Sequence, residues 1–292
     1  MKILILGGDG MIGHKMAQVL SNSNHEITVS IREQRELTKQ CFSSQIKVFF
    51  IDFLKENVVT FLNRVKPDVI INAIGITIRR GVNEHVSDAI YINSYFPHQL
   101  ANWAGIHNKR LIHFSTDCVF SGSEGSYSED ATPNASDYYG KTKGLGEVLS
   151  KNALTLRSSM IGPELFNKTE LFEWVINSKE KEINGFSRVM YSGVTTVYMA
   201  NLIADLIENY KDLSGIYNIA SNPISKFELL HLINENFNLG LFINKDQSIT
   251  SNKTLDASKI ENELGIKSLS WNELIIELKK DYMHFIDLYK RN

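Results

Sequence analysis

The first half of the chain alternates short apolar runs with segments of helical spacing, separated by glycine or small polar turns. Lys2 leads into the unbroken apolar stretch Ile3–Leu6, which predicts a strand buried on both faces, as in a parallel sheet. Met16, Ala17, Val19 and Leu20 follow at helical spacing. Further strands are predicted at 26–31, 46–51, 69–73, 110–114 and 153–157, with helices over 58–65, 89–103 and around Tyr139. Between Ser121 and Asp137 the chain is rich in Gly, Ser, Glu and Asp and carries Pro133. It predicts a loop long enough to be functional. This alternation implies an α/β, Rossmann-type doubly wound parallel sheet.

After Ile161-Gly162-Pro163 the alternation loosens. Helices are predicted over 171–176 and 198–210, a strand over 215–220, and a helix from Ser225 to Phe237 with Glu228 in the capping-box position. An amphipathic helix over 271–289 closes the chain. The expected division is 1–162 as a sheet domain and 163–292 as mainly a smaller C-terminal α/β lobe.

Composition narrows the functional classes. A net charge of −2 gives no basic field for nucleic acid or an anionic membrane surface. The stretch before the first glycine is too short for a signal peptide, and no segment approaches the roughly 18 apolar residues of a membrane span. Cys41 and Cys118 match no metal-ligand spacing and no disulfide framework. The expectation is a protein of a reducing cytoplasm with no metal site. His14, His107 and His113 read as core or surface residues rather than ligands.

Gly7-Gly8-Asp9-Gly10-Met11-Ile12-Gly13 lies between the first strand and the first helix. In that setting, glycines let the backbone approach a pyrophosphate, and the helix N-terminus offers free N–H groups. Gly7, Gly10, Met11, Ile12 and Gly13 are therefore candidate dinucleotide contacts. The second strand ends Ser30-Ile31-Arg32, without the acid that would bind the ribose 2′-hydroxyl of NAD. Arg32 offers instead a forked donor for the 2′-phosphate of NADP, or is a solvated surface arginine. Asp52 is an adenine contact or a helix cap. Ala73 and Gly75, at a small-residue strand end, let a cofactor lie close. Arg79 and Arg80 read more readily as solvated loop residues than as diphosphate ligands.

Tyr139-Gly140-Lys141-Thr142-Lys143 places a phenol and an ammonium one helical turn apart. An opposite charge within reach favours the phenolate, so Lys143 is expected to lower the Tyr139 pKa and make it a proton donor useful near neutrality. Ser115-Thr116-Asp117 follows the predicted fifth strand, at the carboxyl edge where open α/β sheets bind ligands. Their hydroxyls are placed to hydrogen-bond a substrate carbonyl.

These motifs, with Phe114–Gly122, Tyr127-Ser128-Glu129-Asp130, Leu156-Arg157-Ser158-Ser159 and Ser214–Ala220, resemble the extended short-chain dehydrogenase/reductases. Within them the chain is most similar to the dTDP-4-dehydrorhamnose reductases, over nearly its whole length. The resemblance implies a catalytic set of Thr116, Tyr139 and Lys143, with Tyr139 and Lys143 also at the cofactor and Asn93 among its contacts. It implies NADPH as cofactor, a nucleotide-linked 4-keto-6-deoxy sugar as substrate, and a role in surface polysaccharide precursor synthesis. Part of 186–220 is expected to return to the first domain, and a homodimer is left open. Cys118 and Met160 depart from the aromatic residues common at these positions, which leaves the sugar and the base open. Two alternatives stand beside this reading. One is a nucleotide-sugar epimerase or dehydratase of the same superfamily. The other is a non-catalytic regulatory subunit similar to the methionine adenosyltransferase beta subunit.

Overall fold

The computed structural model describes residues 1–267 and 269–290. The first half runs β1 (Lys2–Leu6), α1 (Met11–Leu20), β2 (Glu26–Ile31), α2 (Glu36–Cys41), β3 (Lys47–Phe50), α3 (Val58–Val65) and β4 (Val69–Asn72). It continues through α4 (Val86–Ala89), α5 (Phe96–Ile106), β5 (Arg110–Ser115), α6 (Tyr138–Leu145) and β6 (Ala153–Arg157). Then come β7 (Met160–Ile161), α7 (Leu171–Ile176), β8 (Glu182–Phe186), β9 (Val189–Tyr191), β10 (Val194–Thr195), α8 (Thr196–Asn209) and β11 (Gly215–Asn218). The chain closes with β12 (Ile224–Ser225), α9 (Lys226–Phe237), β13 (Phe242–Asp246), β14 (Ser251–Asn252), α10 (Ser258–Leu264), α11 (Trp271–His284) and α12 (Ile286–Tyr289).

Seven parallel strands form one sheet in the order β11-β6-β5-β4-β1-β2-β3. Alternation along each strand feeds two cores. Ile3 and Ile5 of β1, Ile71 of β4 and Ile112 of β5 face the layer with α1. Leu4, Leu6, Ile70 and Leu111 face the layer with α3 and α5. A strand apolar at every position is thus one with helices on both sides. Because β4 lies on the far side of β1 from β2, the strand order reverses between β1 and β4. A crevice opens there at the carboxyl ends of the strands.

The sheet is completed from far along the chain. β11 pairs with β6 in the register Gly215↔Leu154 to Asn218↔Arg157, and α8 packs on α1. Small sheets stand beyond the carboxyl edge: β7 with β10, β8 with β13, and β9 between β12 and β14. None of these short pairs was predicted from the sequence. Ser225 caps α9 and Glu228 reaches back to it, as expected.

Two predicted helices are interrupted. The expected 89–103 helix contains a π-helical turn at Ile90–Tyr95 before α5. Pro97 sits in the first turn of α5 and has no N–H to return to the Asn93 carbonyl, so the ladder slips by one residue there. The expected 271–289 helix breaks at Phe285 into α11 and α12. No helix among the described residues is long and apolar enough to cross a membrane.

Candidate active site

The glycine turn is folded back on β2: the Gly7 and Gly8 N–H groups both donate to the Ser30 carbonyl, at 3.0 and 2.9 Å. Gly7 takes φ of +80°, a conformation that a side chain would strain. A Cβ on Gly13 would lie 2.0 Å from the Gly7 oxygen, so the third glycine packs helix against turn and does not itself face the crevice. Gly10 precedes α1 with no side-chain cap, leaving the first amides of the helix to a ligand. His14 locks the turn from behind. Its Nδ1 donates to the Gly10 carbonyl at 2.8 Å, so Nε2 accepts from the Tyr289 hydroxyl at 3.0 Å. Burial pushes its pKa down to about 3, which keeps it neutral.

Two clefts meet over this turn. One, of about 340 Å³, is lined by Gly7, Gly10, Arg32, Asp52, Ala73 and Gly75, along with Asp9 and Ser30. The Ser30 hydroxyl is buried and has no partner, which fits a polar group entering from the cleft. Arg32 is exposed at the rim, and Glu33 beside it is taken up by Arg35. Asp52 both lines the cleft and caps its own turn by accepting from the Leu54 N–H at 3.1 Å. These features fit the adenosine half of a dinucleotide.

The second cleft, of about 370 Å³, brings together Gly10, Met11, Ile12, Ala73, Gly75, Thr116, Tyr139 and Lys143. Thr116 follows β5 and accepts the Cys118 N–H at 3.1 Å. Its hydroxyl donates to the Asp117 Oδ1 at 3.1 Å. Both hydroxyls at this strand end donate to a carboxylate, Ser115 to buried Glu147 at the shorter 2.7 Å and Thr116 to Asp117 at 3.1 Å. Thr116 therefore serves a substrate by turning its proton from Asp117 toward the cleft. Asp137 caps α6 through the Gly140 N–H, presenting Tyr139 and Lys143 on one face. Cys118 stays a thiol, pushed up to about 12 by burial.

Besides Gly13, three sequence expectations change. Asn93 lines neither cleft. Its amide accepts from the Ile76 N–H and donates to the Ile76 carbonyl, both at 2.8 Å, and donates to Thr142 at 3.1 Å. With those bonds made, it is a tie between the loop after β4 and α6. Secondly, the Tyr139 phenol is shifted above its ordinary range, chiefly by burial; the Thr116 hydroxyl pulls the other way. Lys143 does not lower it. Its Nζ donates to the Phe114 carbonyl at 2.6 Å, and burial brings its own pKa down to about 8. Spacing revealed the partner but not the desolvation, which wins here. Thirdly, Arg79 and Arg80 are not simply solvated. Arg80 pairs with buried Glu164 at 3.0 Å, and Arg79 approaches Glu170 at 3.8 Å.

Beyond Met160 lies a third pocket, of about 420 Å³, lined among others by Trp174, Asn184, Phe186, Tyr191 and Lys226. Met160, Ser159, Arg79 and Glu170 line both this pocket and the catalytic cleft. Lys226 stands 4.0 Å over the Tyr191 ring. None of the five pocket residues was named from the sequence as a site residue: Trp174 entered only as part of the apolar 171–176 helix, and Asn184, Phe186 and Tyr191 come from short strands without a local motif. The Ser225 cap, which begins α9 at Lys226, was the one local signal.

With this geometry in place, the RmlD substrate binding domain family matches residues 1–283. The chain belongs to that family. Among its relatives, the dTDP-4-dehydrorhamnose reductase of Aggregatibacter actinomycetemcomitans is 26% identical, covering 95% of this chain and 98% of that protein. A methionine adenosyltransferase 2 subunit beta of Xenopus tropicalis is 25% identical, covering 94% of this RmlD-family chain and 88% of the relative. A solved structure from Sulfolobus tokodaii, described as a hypothetical dTDP-4-dehydrorhamnose reductase, superposes with a TM-score of 0.78 at 26% identity. It covers 93% of this chain and 98% of its own.

Proposed function

We propose that the protein is an NADPH-dependent reductase acting on the 4-keto group of a nucleotide-linked 6-deoxy sugar, in the making of a surface polysaccharide precursor. One observation carries the reading. Thr116, Tyr139 and Lys143 share a cleft with the Gly10–Ile12 turn, and that cleft continues past Met160 into a pocket of the second lobe. The reaction needs a hydride, which NADPH supplies when bound. The Thr116 hydroxyl donates a hydrogen bond to the sugar carbonyl and orients it. Tyr139 gives its proton to the carbonyl oxygen as negative charge develops there. Hydride and proton together convert the ketone to an alcohol. Lys143 holds the nicotinamide ribose. Trp174, Phe186 and Lys226 supply apolar and cationic surface for a nucleoside diphosphate, whose binding energy positions the sugar.

Turnover of a panel of dTDP- and UDP-linked 4-keto-6-deoxy sugars with NADPH, followed by product mass spectrometry, tests this reading. A product two mass units heavier is expected for at least one of them. An isomerised or dehydrated product would favour the epimerase and dehydratase alternative. No turnover on any would favour a regulatory subunit, as the Xenopus tropicalis relative is named.

Cofactor choice follows from the rim of the adenosine cleft. NADPH should bind more tightly than NADH, and Arg32→Ala should weaken NADPH by about tenfold or more while sparing NADH. Equal affinities in the unmutated protein, measured by fluorescence titration, would sink the assignment of Arg32.

A further inference from the structure

Glu147 follows Lys143 by four residues, in the turn that closes α6 through the Gly146 N–H to Lys143 carbonyl bond of 3.0 Å. Its side chain is 5% exposed and lines neither the catalytic nor the adenosine cleft. Arg157 grips it with two parallel bonds, Nε to Oε1 and Nη2 to Oε2, each 2.7 Å. Ser115 donates to Oε1 at 2.7 Å. Arg157 is itself held on two further sides. Its Nη1 donates to the Glu129 carbonyl at 3.0 Å, its guanidinium lies 5.1 Å over Phe120, and Phe120 stacks on Tyr127 at 4.1 Å.

Three consecutive residues at the end of β5 are thereby fixed in different ways. Lys143 takes the Phe114 carbonyl, Glu147 takes the Ser115 hydroxyl, and Thr116 faces the cleft. We propose that Glu147, clamped by Arg157, is a positioning residue: it holds Lys143 as an ammonium at the cofactor and fixes the strand end that presents Thr116. The proposal rests on the reductase reading above for the role of Lys143.

The electrostatics support the geometry. Burial lowers the pKa of Lys143 to about 8, and Glu147 is the charge that pulls it back up. Glu164 and Glu170 line the catalytic cleft but face Arg80 and Arg79, and Asp117 accepts from Thr116; Glu147 is the carboxylate that acts on Lys143. Tyr139 on the same helix is a neutral phenol. His113 on β5 is kept neutral by burial. His98 on α5 bonds the Leu145 carbonyl at the helix end. Arg157 on β6 is a cation already balanced by Glu147. Neutralising Glu147 would leave two cations in one desolvated region, and the lysine is the one able to lose its proton.

The sign is fixed. Lys143 is charged below its pKa, so NADPH affinity should hold at neutral pH and fall as pH rises through about 8. In Glu147→Gln that fall should begin about one pH unit or more lower. Glu147→Asp keeps the charge and should restore the midpoint. Arg157→Met leaves the carboxylate without its clamp cation and should move the midpoint upward. NADPH titrated by fluorescence across pH, with circular dichroism to confirm folding, reads all three. A folded Gln or Met variant with the wild-type midpoint would overturn the proposal. So would a wild-type protein whose NADPH affinity is flat between about pH 7 and about pH 9.5. Because the readout is cofactor binding, its failure is separate from the failure of every sugar in the substrate panel.

Discussion

Tyr139→Phe should lose about 10²–10⁴-fold in turnover while binding NADPH as well as the unmutated protein. The substitution removes one hydroxyl from a side chain that lines the catalytic cleft. That hydroxyl meets Thr116 within the cleft, while the α6 cap is made by Asp137. The phenol keeps its proton because burial pushes its pKa up; in the proposed reaction it is an acid with a proton to give. Within the cleft, the Cys118 thiol is shifted to about 12 and stands beside Thr116 rather than in the helix of Tyr139. It offers no ready substitute. Retention of most of the turnover in the Phe variant, with folding and cofactor affinity intact, would place the proton donor elsewhere.

The largest stability effect is expected far from the chemistry, at Asp281→Asn. Lys15 on α1 is fully buried, and its ammonium meets the Asp281 carboxylate of α11 at 2.6 Å. Phe285 covers the same ammonium at 4.6 Å. Removing one member of such a pair leaves a buried charge unmatched, which costs about 3–5 kcal/mol. Burial already lowers the pKa of Lys15, and Asp281 is the main force raising it. The variant should therefore hold Lys15 neutral when folded. Its unfolded chain still binds a proton up to about pH 10.4, so the loss should shrink as pH rises toward that value. Denaturant melts at neutral and alkaline pH would show it. A loss below about 1 kcal/mol at neutral pH would mean that the pair is no more than a surface contact.

How much of this was legible in the sequence depended on how local the cause was. β1, α3 and β6 were predicted with the bounds observed: β1 is an apolar run after Lys2, α3 a strongly one-sided helix, and β6 a short alternation with Leu154 and Leu156 on one face. Thr116, Tyr139 and Lys143 stood out as candidates by strand-end position and helical spacing, and the fold brings them to one cleft. The misses have distant causes. Arg80 finds Glu164 across 84 residues, a partner that no window of sequence contains. Asn93 was read as a cofactor contact, yet its amide is used up by Ile76 and Thr142. The two-to-five-residue strands of the second lobe carry too few residues for a period to register.

The pairing of β11 with β6 bears on how the protein must be made. β6 ends at Arg157 and β11 ends at Asn218, which is 218 − 157 = 61 residues later. At about 5–20 residues per second, a nascent chain waits roughly 3–12 s between completing one strand and completing the next. Throughout that interval Leu154 and Leu156 lie on an open edge of an otherwise formed parallel sheet, a surface ready to pair with any other extended chain. Pairing of Gly215–Asn218 with β6 ends the exposure, and the Asn218 amide ties the new strand to the Tyr127 carbonyl at 2.8 Å. A chain that folds as it is made would pass through a six-stranded sheet, and slow translation between Ile161 and Gly215 would prolong that state.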